Sequence, residues 1–578
     1  MPRSNDQVER ALQEYADLLS IVSGDPYKPR AYEKAARAVG GFPDELVELD
    51  DRGVLAIPGV GKSIAAKVTE YLKTGSFAEL DELRAQVPAG VREMTAIAGF
   101  GPKKALAVHR ELGIGSVDEL VAAAERGELA PLKGFSRSTE RNVIDGVMRL
   151  RSNTGRVQVN VALEVAHELI DHLGKVPGVR RAAYAGSLRR MAETVGDVDL
   201  LIASDRPGRV PEKVMDAFVG HGTVDRVIAK GETKSSIVTN AGLQVDLRVI
   251  DLDEWGAAMI YFTGSKAHNI RIREMAVREG LKLNEYGLFR AKTGRLLASD
   301  TEEAVYERLG LAYIEPTLRE DRGEIEAARS GQLPDLITLN QIRGDLHTHT
   351  DLTDGLAPLE RMLEAAAERR YAYYAVTDHA PNLYMQRMTD EKMLTQRQRL
   401  RALQDGFPSM RLLHGTELNI DPDGGVDWDE RFLDGFDLTV ASVHSHFGQS
   451  KEAMTRRVIR AIEHPKVNII GHLTTRKIGS RDPVDLDLEA VFEAAARTGT
   501  ALEINAYPDR LDLRDEHVLR ARRHGVRFAI DTDSHAVGHL DMMRFGVATA
   551  QRGWLSKHDV INAWPITKLE RFLRKESH

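Results

Sequence analysis

The chain has 578 residues, 42% of them hydrophobic and 29% charged, with no cysteine and a formal net charge of −8. That length supports several independent cores. No apolar run approaches the length of a membrane span, and the lack of cysteine excludes disulfides and thiolate metal sites, so any metal must be held by His, Asp and Glu. The start, MPRSNDQVERALQ, has no apolar leader, and a cytoplasmic protein is expected. Residues 1–150 hold 20 Lys and Arg against 23 Asp and Glu. Net charge therefore does not announce nucleic acid, and local motifs must.

Residues 4–50 predict short amphipathic helices, such as Val8–Ser20, broken by Pro26, Pro29 and Gly40-Gly41. Ile57–Val68 then reads IPGVGKSIAAKV. Gly59 and Gly61 in a tight turn leave N–H groups at the start of the next helix, beside Lys62. That is an anion site suited to a DNA phosphate. The pattern returns as IAGFGPKKAL at Ile97–Leu106, with Gly99, Gly101 and Lys103, and in degenerate form at Leu132–Ser136. One copy reads as an ordinary αα-hairpin; two full copies favour DNA binding.

A helix over Val161–Leu173 leads into GSLRRMAETVGDVDL at Gly186–Leu200. Val198–Ile202 predicts a strand, with Asp197 and Asp199 on one face. Two carboxylates side by side are costly unless a cation sits between them, and oxygen-only ligands suit Mg²⁺ or Mn²⁺. Gly186-Ser187 forms a small turn that offers N–H groups and a hydroxyl to phosphate oxygens, with Arg189 and Arg190 at the same end. Leu243–Val249 alternates apolar and polar residues as a half-buried strand, and brings Asp246 to the pair if the two strands are neighbours. Three carboxylates with two metals about 3.5–4 Å apart are the parts for in-line nucleotidyl transfer.

Residues 1 to about 315 resemble a family X DNA polymerase. The likeness rests on the hairpin pair, GSLRR…GDVDLL, the VDLR strand, YFTGS at Tyr261–Ser265 and LNEYGL at Leu283–Leu288. It implies that Asp197, Asp199 and Asp246 are the metal-binding catalytic carboxylates. It also implies that Gly186, Ser187 and Arg190 contact the triphosphate, with Gly196 in the same nucleotide site. Tyr261, Phe262 and Gly264 would flank the nucleotide sugar, and Asn269 and Arg273 would contact nucleotide and template. Met191 stands where the family often has Gly, which bears on the loop geometry, and Gln244 where Arg or Lys is common. Some relatives carry a lyase whose Lys forms a Schiff base with 5′-deoxyribose phosphate. Lys67 matches that position and Lys28 and Tyr32 match supporting residues. A plain phosphate contact is the favoured reading of Lys67, because Ser63 follows Lys62 where relatives can have a second Lys. The polar stretch Glu315–Leu339, with Pro316 and Pro334, predicts a linker with some helix.

From Gln341 the composition shifts: 14 of the 19 histidines lie in the last 238 residues. Seven apolar runs predict buried strands: Ile342–Leu346, Tyr373–Val376, Arg411–Leu413, Asp437–Val443, Val467–Ile470, Thr500–Ile504 and Arg527–Ile530. Helices such as Leu359–Glu368, Met454–Ile462 and Leu488–Ala496 separate them, which argues for a parallel barrel. The polar motifs follow the strands: His347-Thr348-His349 with Asp354, Thr377-Asp378-His379, Gly415-Thr416-Glu417, Val443–His446, Gly471-His472 and Asp531–His535. Strand C-termini meet at one mouth of such a barrel, so six motifs converge, a strong metal signal. The segment resembles the polymerase and histidinol phosphatase (PHP) domain, a (β/α)₇ barrel with up to three metals. By that resemblance the ligands are His347, His349, Asp354, His379, Glu417, His444, His472, Asp533 and His535, holding Mn²⁺ or Zn²⁺ (or Fe²⁺). His446 stands outside the set.

The expected architecture is multidomain, α and α/β. A helical domain with the first helix-hairpin-helix takes 1–90 and a second, fingers-like one 91–155. A nucleotidyltransferase palm takes 156–252, a thumb-like nucleotide-selection domain 253–315, a linker 316–340, and a distorted PHP barrel 341–578. The expected function is DNA-directed synthesis that fills short gaps in repair, with a metal-dependent 3′-5′ exonuclease in the barrel. The partners are gapped or primer-template DNA and deoxynucleoside triphosphates, for a monomer with no membrane contact. The alternatives are a barrel that acts as a small-molecule phosphatase or an end-processing phosphoesterase at abasic sites, and a non-catalytic DNA-end scaffold.

Overall fold

The structure is a computed structural model. It describes residues 5–575 apart from 23–26, 41–45, 58, 88–90, 92–93, 95–99, 101, 133, 138, 142, 145–155, 205–209, 241, 384–385, 387 and 479–480. The chain divides into two compact units, Met1–Arg156 and Val157–His578. No helix among the described residues is long and apolar enough to cross a membrane.

The first unit is helical. Helix Asn5–Val22 lays Leu12, Tyr15 and Leu19 into a core with Tyr32, Ala35, Val68, Phe77 and Phe100. In the first hairpin, the Asp50 carboxylate caps helix Asp51–Ala56 by accepting from Gly53 N at 2.8 Å. The chain then turns through Gly59, whose φ of +87° suits glycine, into helix Lys62–Thr74.

The second unit opens with β1 (Val157–Gln158), which pairs antiparallel with β3 (Thr194–Val195). The palm sheet follows the order β2 (Val179–Tyr184), β4 (Asp197–Ser204), β7 (Gln244–Asp251), β6 (Lys234–Thr239), β5 (Val224–Lys230). Only β4 and β7 run parallel. Helices Val159–Leu173 and Val210–Val219 bury Leu163, Leu169 and Phe218 against Leu200, Ile202, Val245 and Leu247. Leu511 and Phe545, from far along the chain, complete this core. A thumb of three antiparallel strands, β8 (Leu281–Asn284), β9 (Gly287–Arg290) and β10 (Leu296–Ala298), packs with helices Trp255–Thr263, Lys266–Arg278 and Glu302–Arg308.

The last seven strands pair in sequence order, all parallel: β11 (Gly344–Asp345), β12 (Tyr373–Val376), β13 (Arg411–Asn419), β14 (Leu438–Ser442), β15 (Ile469–Ile470), β16 (Ala501–Asn505) and β17 (Phe528–Asp531). The ring is nearly closed. β11 and β17 do not pair, but beyond their ends Thr348 bridges Ser534 and His349 N donates to Ser534 O at 2.8 Å. Tyr373 and Ala375 join an inner cluster with Leu413, Val440 and Ile469, whereas Tyr374 and Val376 meet the helices outside, the period-two alternation of a strand.

The stretch 316–340, expected as a polar linker, is packed instead. Arg319 is fully buried, donating to Ile314 O at 2.9 Å and to Glu302 Oε1 at 2.7 Å. Leu318, Ile325 and Ala328 enter the thumb core, and Ile337 N donates to Leu555 O of the barrel at 2.9 Å. Its charged residues mislead as a solvent signal because their partners lie far away in sequence.

Candidate active sites

The parallel register of β4 and β7 sets Asp199 directly opposite Asp246 and Asp197 opposite Gln244. The three carboxylates thus gather at one end of a strand pair. Asp197 is exposed while Asp199 is mostly withdrawn from water. Burial, then the charges of Asp197 and Asp246, push the Asp199 carboxyl up to about 7. Arg248 and Lys234 pull the other way, Lys234 Nζ standing 3.6 Å from Asp246 Oδ2. Gln244, where a cation is common in the family, donates from Nε2 to Asp246 Oδ1 at 3.1 Å.

Gly186 opens a four-residue helical turn at φ +64°, where a Cβ would lie 2.6 Å from Asp199 Oδ2. Only glycine lets the backbone come this close to the carboxylate. Met191 takes φ +55°, so the turn keeps a left-handed residue at the position where the family often has glycine. Arg190 donates to Glu320 at 3.0 Å and to Thr263 O at 2.6 Å; Arg189 donates to Thr263 Oγ1 at 2.7 Å and to Glu302. Gly196 lies just before β4. Tyr261 and Phe262 meet edge-to-face at 5.0 Å, ahead of Gly264. Asn269 donates to Tyr261 O at 2.7 Å, and Arg273 donates to Asn269 O at 3.1 Å. The Gly186 turn thus lies against Asp199, and Arg189 and Arg190 tie it to Thr263, at the end of the helix that carries Tyr261 and Phe262.

In the barrel all nine expected donors converge at the strand C-termini. Three sets have ligand atoms within 4.8 Å of one another: His349, Asp354, His379 and His535; His347, His349 and Asp533; His379, Glu417 and His444. His472 Nε2 joins at 3.1 Å from Glu417 Oε1. His446 is exposed and bonds only locally, with Ser445 Oγ. His347 Nε2, both ring nitrogens of His349, His379 Nδ1 and Asp354 Oδ1 are buried without a hydrogen bond. Burial disfavours the His379 cation, yet Glu417 and Asp354 outweigh it and lift the ring to about 10; burial, then His379 itself, lower His349 to about 4. Unpartnered ring nitrogens and buried carboxylates facing one another suit cations, which bind the neutral rings. The donor chemistry fits divalent metal ions.

Sequence reasoning missed the residues that aim these donors. Glu503 accepts from His347 Nδ1 at 2.6 Å and from His472 N at 2.6 Å. Asn419 Oδ1 meets His444 Nδ1 at 2.7 Å, and Asn505 donates to Asp533 at 3.1 Å. Gln386 donates to Asp354 at 2.8 Å. The available signal was polarity at the ends of apolar strands: Glu503 and Asn505 in ALEIN, and Asn419 closing β13.

In the helical unit, Gly59, Gly61 and Lys62 are exposed and no side chain caps the helix that Gly61 starts. Gly99 and Gly101 lie outside the described residues. Lys103 sits in the first turn of helix Pro102–Leu112, and its side chain is likewise outside them. Lys67 is buried, paired with Glu79, its Nζ 5.7 Å and 5.6 Å from the ring centres of Tyr15 and Phe77. Tyr32 is buried against Tyr15, and the exposed Lys28 adds to the pull that holds the Glu79 carboxyl low, after the dominant Lys67 bond.

Comparison with known proteins agrees with this layout. A helix-hairpin-helix domain model matches residues 3–77, a SAM-like helix-hairpin-helix tandem 91–149, the DNA polymerase beta thumb 258–320 and the PHP domain 345–507. The DNA polymerase/3′-5′ exonuclease PolX of Bacillus subtilis is 34% identical over 569 residues, 98% of each chain. This chain belongs to the bacterial family X DNA polymerases with a C-terminal PHP domain. DNA polymerase lambda of Rattus norvegicus is 26% identical over 52% of this chain and 53% of its own length. A probable phosphatase of Syntrophotalea carbinolica is 36% identical over 28% of this chain and 64% of its own.

Proposed function

We propose that this polymerase fills short gaps in DNA from the palm and removes nucleotides from 3′ ends in the barrel. The observation that carries the reading is the β4–β7 register, which sets Asp199 against Asp246 beside the Gly186 turn. Asp197, Asp199 and Asp246 would hold Mg²⁺ or Mn²⁺. Ser187, Arg190 and the N–H groups of the turn would receive the triphosphate, and Tyr261, Phe262 and Gly264 the sugar. The nine barrel donors would hold up to three Mn²⁺, Zn²⁺ or Fe²⁺ ions. Bound divalent cations polarise phosphoryl oxygens and favour deprotonation of the attacking hydroxyl or water. The residues of the chain align the partners. The Asp246 carboxylate, steered by Gln244, faces the incoming primer hydroxyl, and Asn269 and Arg273 border the nascent base pair. In the barrel, Glu503 and Asn419 fix which ring nitrogen of His347 and His444 faces the mouth.

The exposed turn of Gly59 and Gly61 grips backbone phosphates without reading sequence. Lys67, buried against Glu79, supports this surface from within. As a repair enzyme of this family it would act in the cytoplasm, as a monomer.

A labelled single-gap duplex tests the reading with Mg²⁺ or Mn²⁺. Nucleotides should extend the primer in a template-directed way, and their omission should shorten it from the 3′ end. Absence of extension would remove the polymerase reading. Release of phosphate from mononucleotides without shortening of DNA would turn the barrel into a small-molecule phosphatase, in line with its phosphatase relative.

A further inference from the structure

The palm turn that begins at Gly186 is held from the barrel side at two points. Arg552 ends helix Met543–Arg552 and donates from Nη1 to the Arg190 carbonyl at 2.8 Å and to Glu320 Oε1 at 2.8 Å. Its Nε donates to Asp515 at 3.0 Å. Glu320 is the same carboxylate that takes the Arg190 guanidinium at 3.0 Å. Three residues along, Glu193 accepts both terminal nitrogens of Arg476, at 3.3 and 2.7 Å. Arg476 also donates to Leu511 O at 2.6 Å and follows His472 by four residues. Both arginines are 8% exposed. Ile478, Leu511, Met542 and Phe545 pack into the palm core around them.

We propose that Arg552 and Arg476, in the barrel, are positioning residues for nucleotide addition in the palm. The proposal rests on the reading of Gly186–Arg190 as the triphosphate turn. That turn is only four residues of helix followed by Met191 at positive φ, and has little stiffness of its own. Its N–H groups point where the backbone around Arg190 sends them. Arg552 fixes that backbone through the Arg190 carbonyl. It also shares the Glu320 charge, so that Arg190 faces a carboxylate already partly neutralised and is freer to turn to a triphosphate. Arg476 fixes the far end of the loop through a two-pronged contact that lysine cannot copy. Synthesis in the palm therefore depends on the barrel as a support, apart from any chemistry the barrel performs.

The test titrates nucleotide against saturating single-gap DNA, with exonuclease followed on the same labelled strand, for the full chain. Glu193→Gln and Arg476→Met should each raise KM for the nucleotide about tenfold with a smaller change in kcat, within the ~100-fold range that a misplacement of about 1 Å brings. The double variant should be no worse than the worse single one, because the two act as a pair. Arg552→Ala should raise KM similarly, and Arg552→Lys should recover most of the loss. Glu193→Gln should keep wild-type exonuclease with at most a small fall in melting temperature, because Arg476 loses one charged partner but keeps its bond to Leu511 O. An unchanged KM in Glu193→Gln overturns the proposal. So does a parallel fall in kcat, exonuclease and melting temperature, which marks a general packing role. If Arg552→Ala does not fold, Glu193→Gln still decides, since its carboxylate is removed without a cavity. Asp246→Ala runs alongside: extension by that variant means that the palm reading itself has failed, whereas its loss together with an unchanged Glu193→Gln sinks only the brace.

Discussion

The palm and the barrel both gather carboxylates, but they balance that charge in different ways. In the palm, three aspartates stand at the end of two strands, placed by backbone register and steadied by one side-chain bond from Gln244. Burial and the like charges of Asp197 and Asp246 lift the Asp199 carboxyl to about 7, although Arg248 and Lys234 pull it down. In the barrel, the donors are interleaved: Glu417 lies within 3.6 Å of His347, His349, His379, His444 and His472. His347 and His444 are each aimed by a further group behind the ring, Glu503 and Asn419. The palm site is thus sparse in side-chain bonds, while the barrel is preassembled. In a sparse site each ligand is irreplaceable. In a preassembled one, the residues behind the ligands carry a large share of the precision.

The largest effects should come from crossing the two centres. Asp246→Ala is expected to abolish nucleotide addition while exonuclease and gapped-DNA binding persist. His349→Ala is expected to abolish 3′-5′ exonuclease and lower the bound Mn²⁺ content, while extension persists. Both activities are read on one labelled primer in Mn²⁺. Full exonuclease in His349→Ala, or its loss in Asp246→Ala with DNA binding intact, would refute two separate centres and move degradation into the palm, as reversal of addition by pyrophosphate.

Next in size is Glu503→Gln. It keeps the shape but replaces the acceptor that orients His347 through Nδ1. Loss of such a support costs about 10–100-fold in metal affinity or activity. Exonuclease and Mn²⁺ affinity should fall by that amount, with extension unchanged. A wild-type metal titration for this variant would show that the barrel ligands hold their own orientation.

How far these centres could be read from sequence depends on how local their cause is. Tyr373–Val376 and Leu359–Glu368 were legible to the residue, because a buried parallel strand and an amphipathic helix each write a periodic pattern. The barrel donors were legible because their motifs cluster at strand ends and match the ligand pattern of the PHP domain, although Glu417 lies inside β13 and Asp354 well past β11. Glu503 was not, because a carboxylate inside ALEIN has meaning only once β16 lies beside the loop of His472. The stretch 316–340 failed for the same reason: Arg319 and Glu324 read as solvated charges until Glu302 and His268 are brought to them. Lys67 could be matched by position, but its burial against Glu79 follows from helices 12 residues apart and more. The Gln244–Asp246 bond lay between both cases, since the i, i+2 spacing was visible and its consequence was not.

That bond gives a smaller test of how sparse the palm is. A hydrogen bond to a charged group contributes about 1.5–3 kcal/mol when buried and less where water competes, as it does here. Gln244→Ala should therefore lower kcat for extension by roughly tenfold or less, since about 1.4 kcal/mol is a factor of ten. Gln244→Arg should recover part of the loss by restoring a donor to Asp246. Equal rates in all three proteins would mean that backbone register alone places Asp246.

The smallest expected effect concerns the seam that joins the two regions. Asp515 is buried there and Glu320 half-buried. Burial opposes their ionisation, but Arg552, with Arg322 beside Asp515 and Arg190 beside Glu320, outweighs it and holds both carboxyls below their ordinary range. A carboxyl lowered in the folded state contributes stability that is complete above its unfolded value, near 4, and is lost as pH falls through the folded value. The melting temperature should thus be insensitive to these two groups from pH 8 to about 5 and decline below about pH 4. Histidine ligands titrate in an overlapping range, so the seam is isolated by comparison with Asp515→Asn. That variant is less stable at pH 7, because Arg322 and Arg552 lose a charged partner, and it lacks one of the two acid-sensitive groups. The gap between the two melting curves should narrow as pH drops from 5 to 3, by about 2–4 °C for each kcal/mol recovered in a domain of this size. A gap that stays constant across that range would mean that Asp515 contributes nothing through its charge, and that palm and barrel are held together by the packing of Leu511 and Phe545 instead.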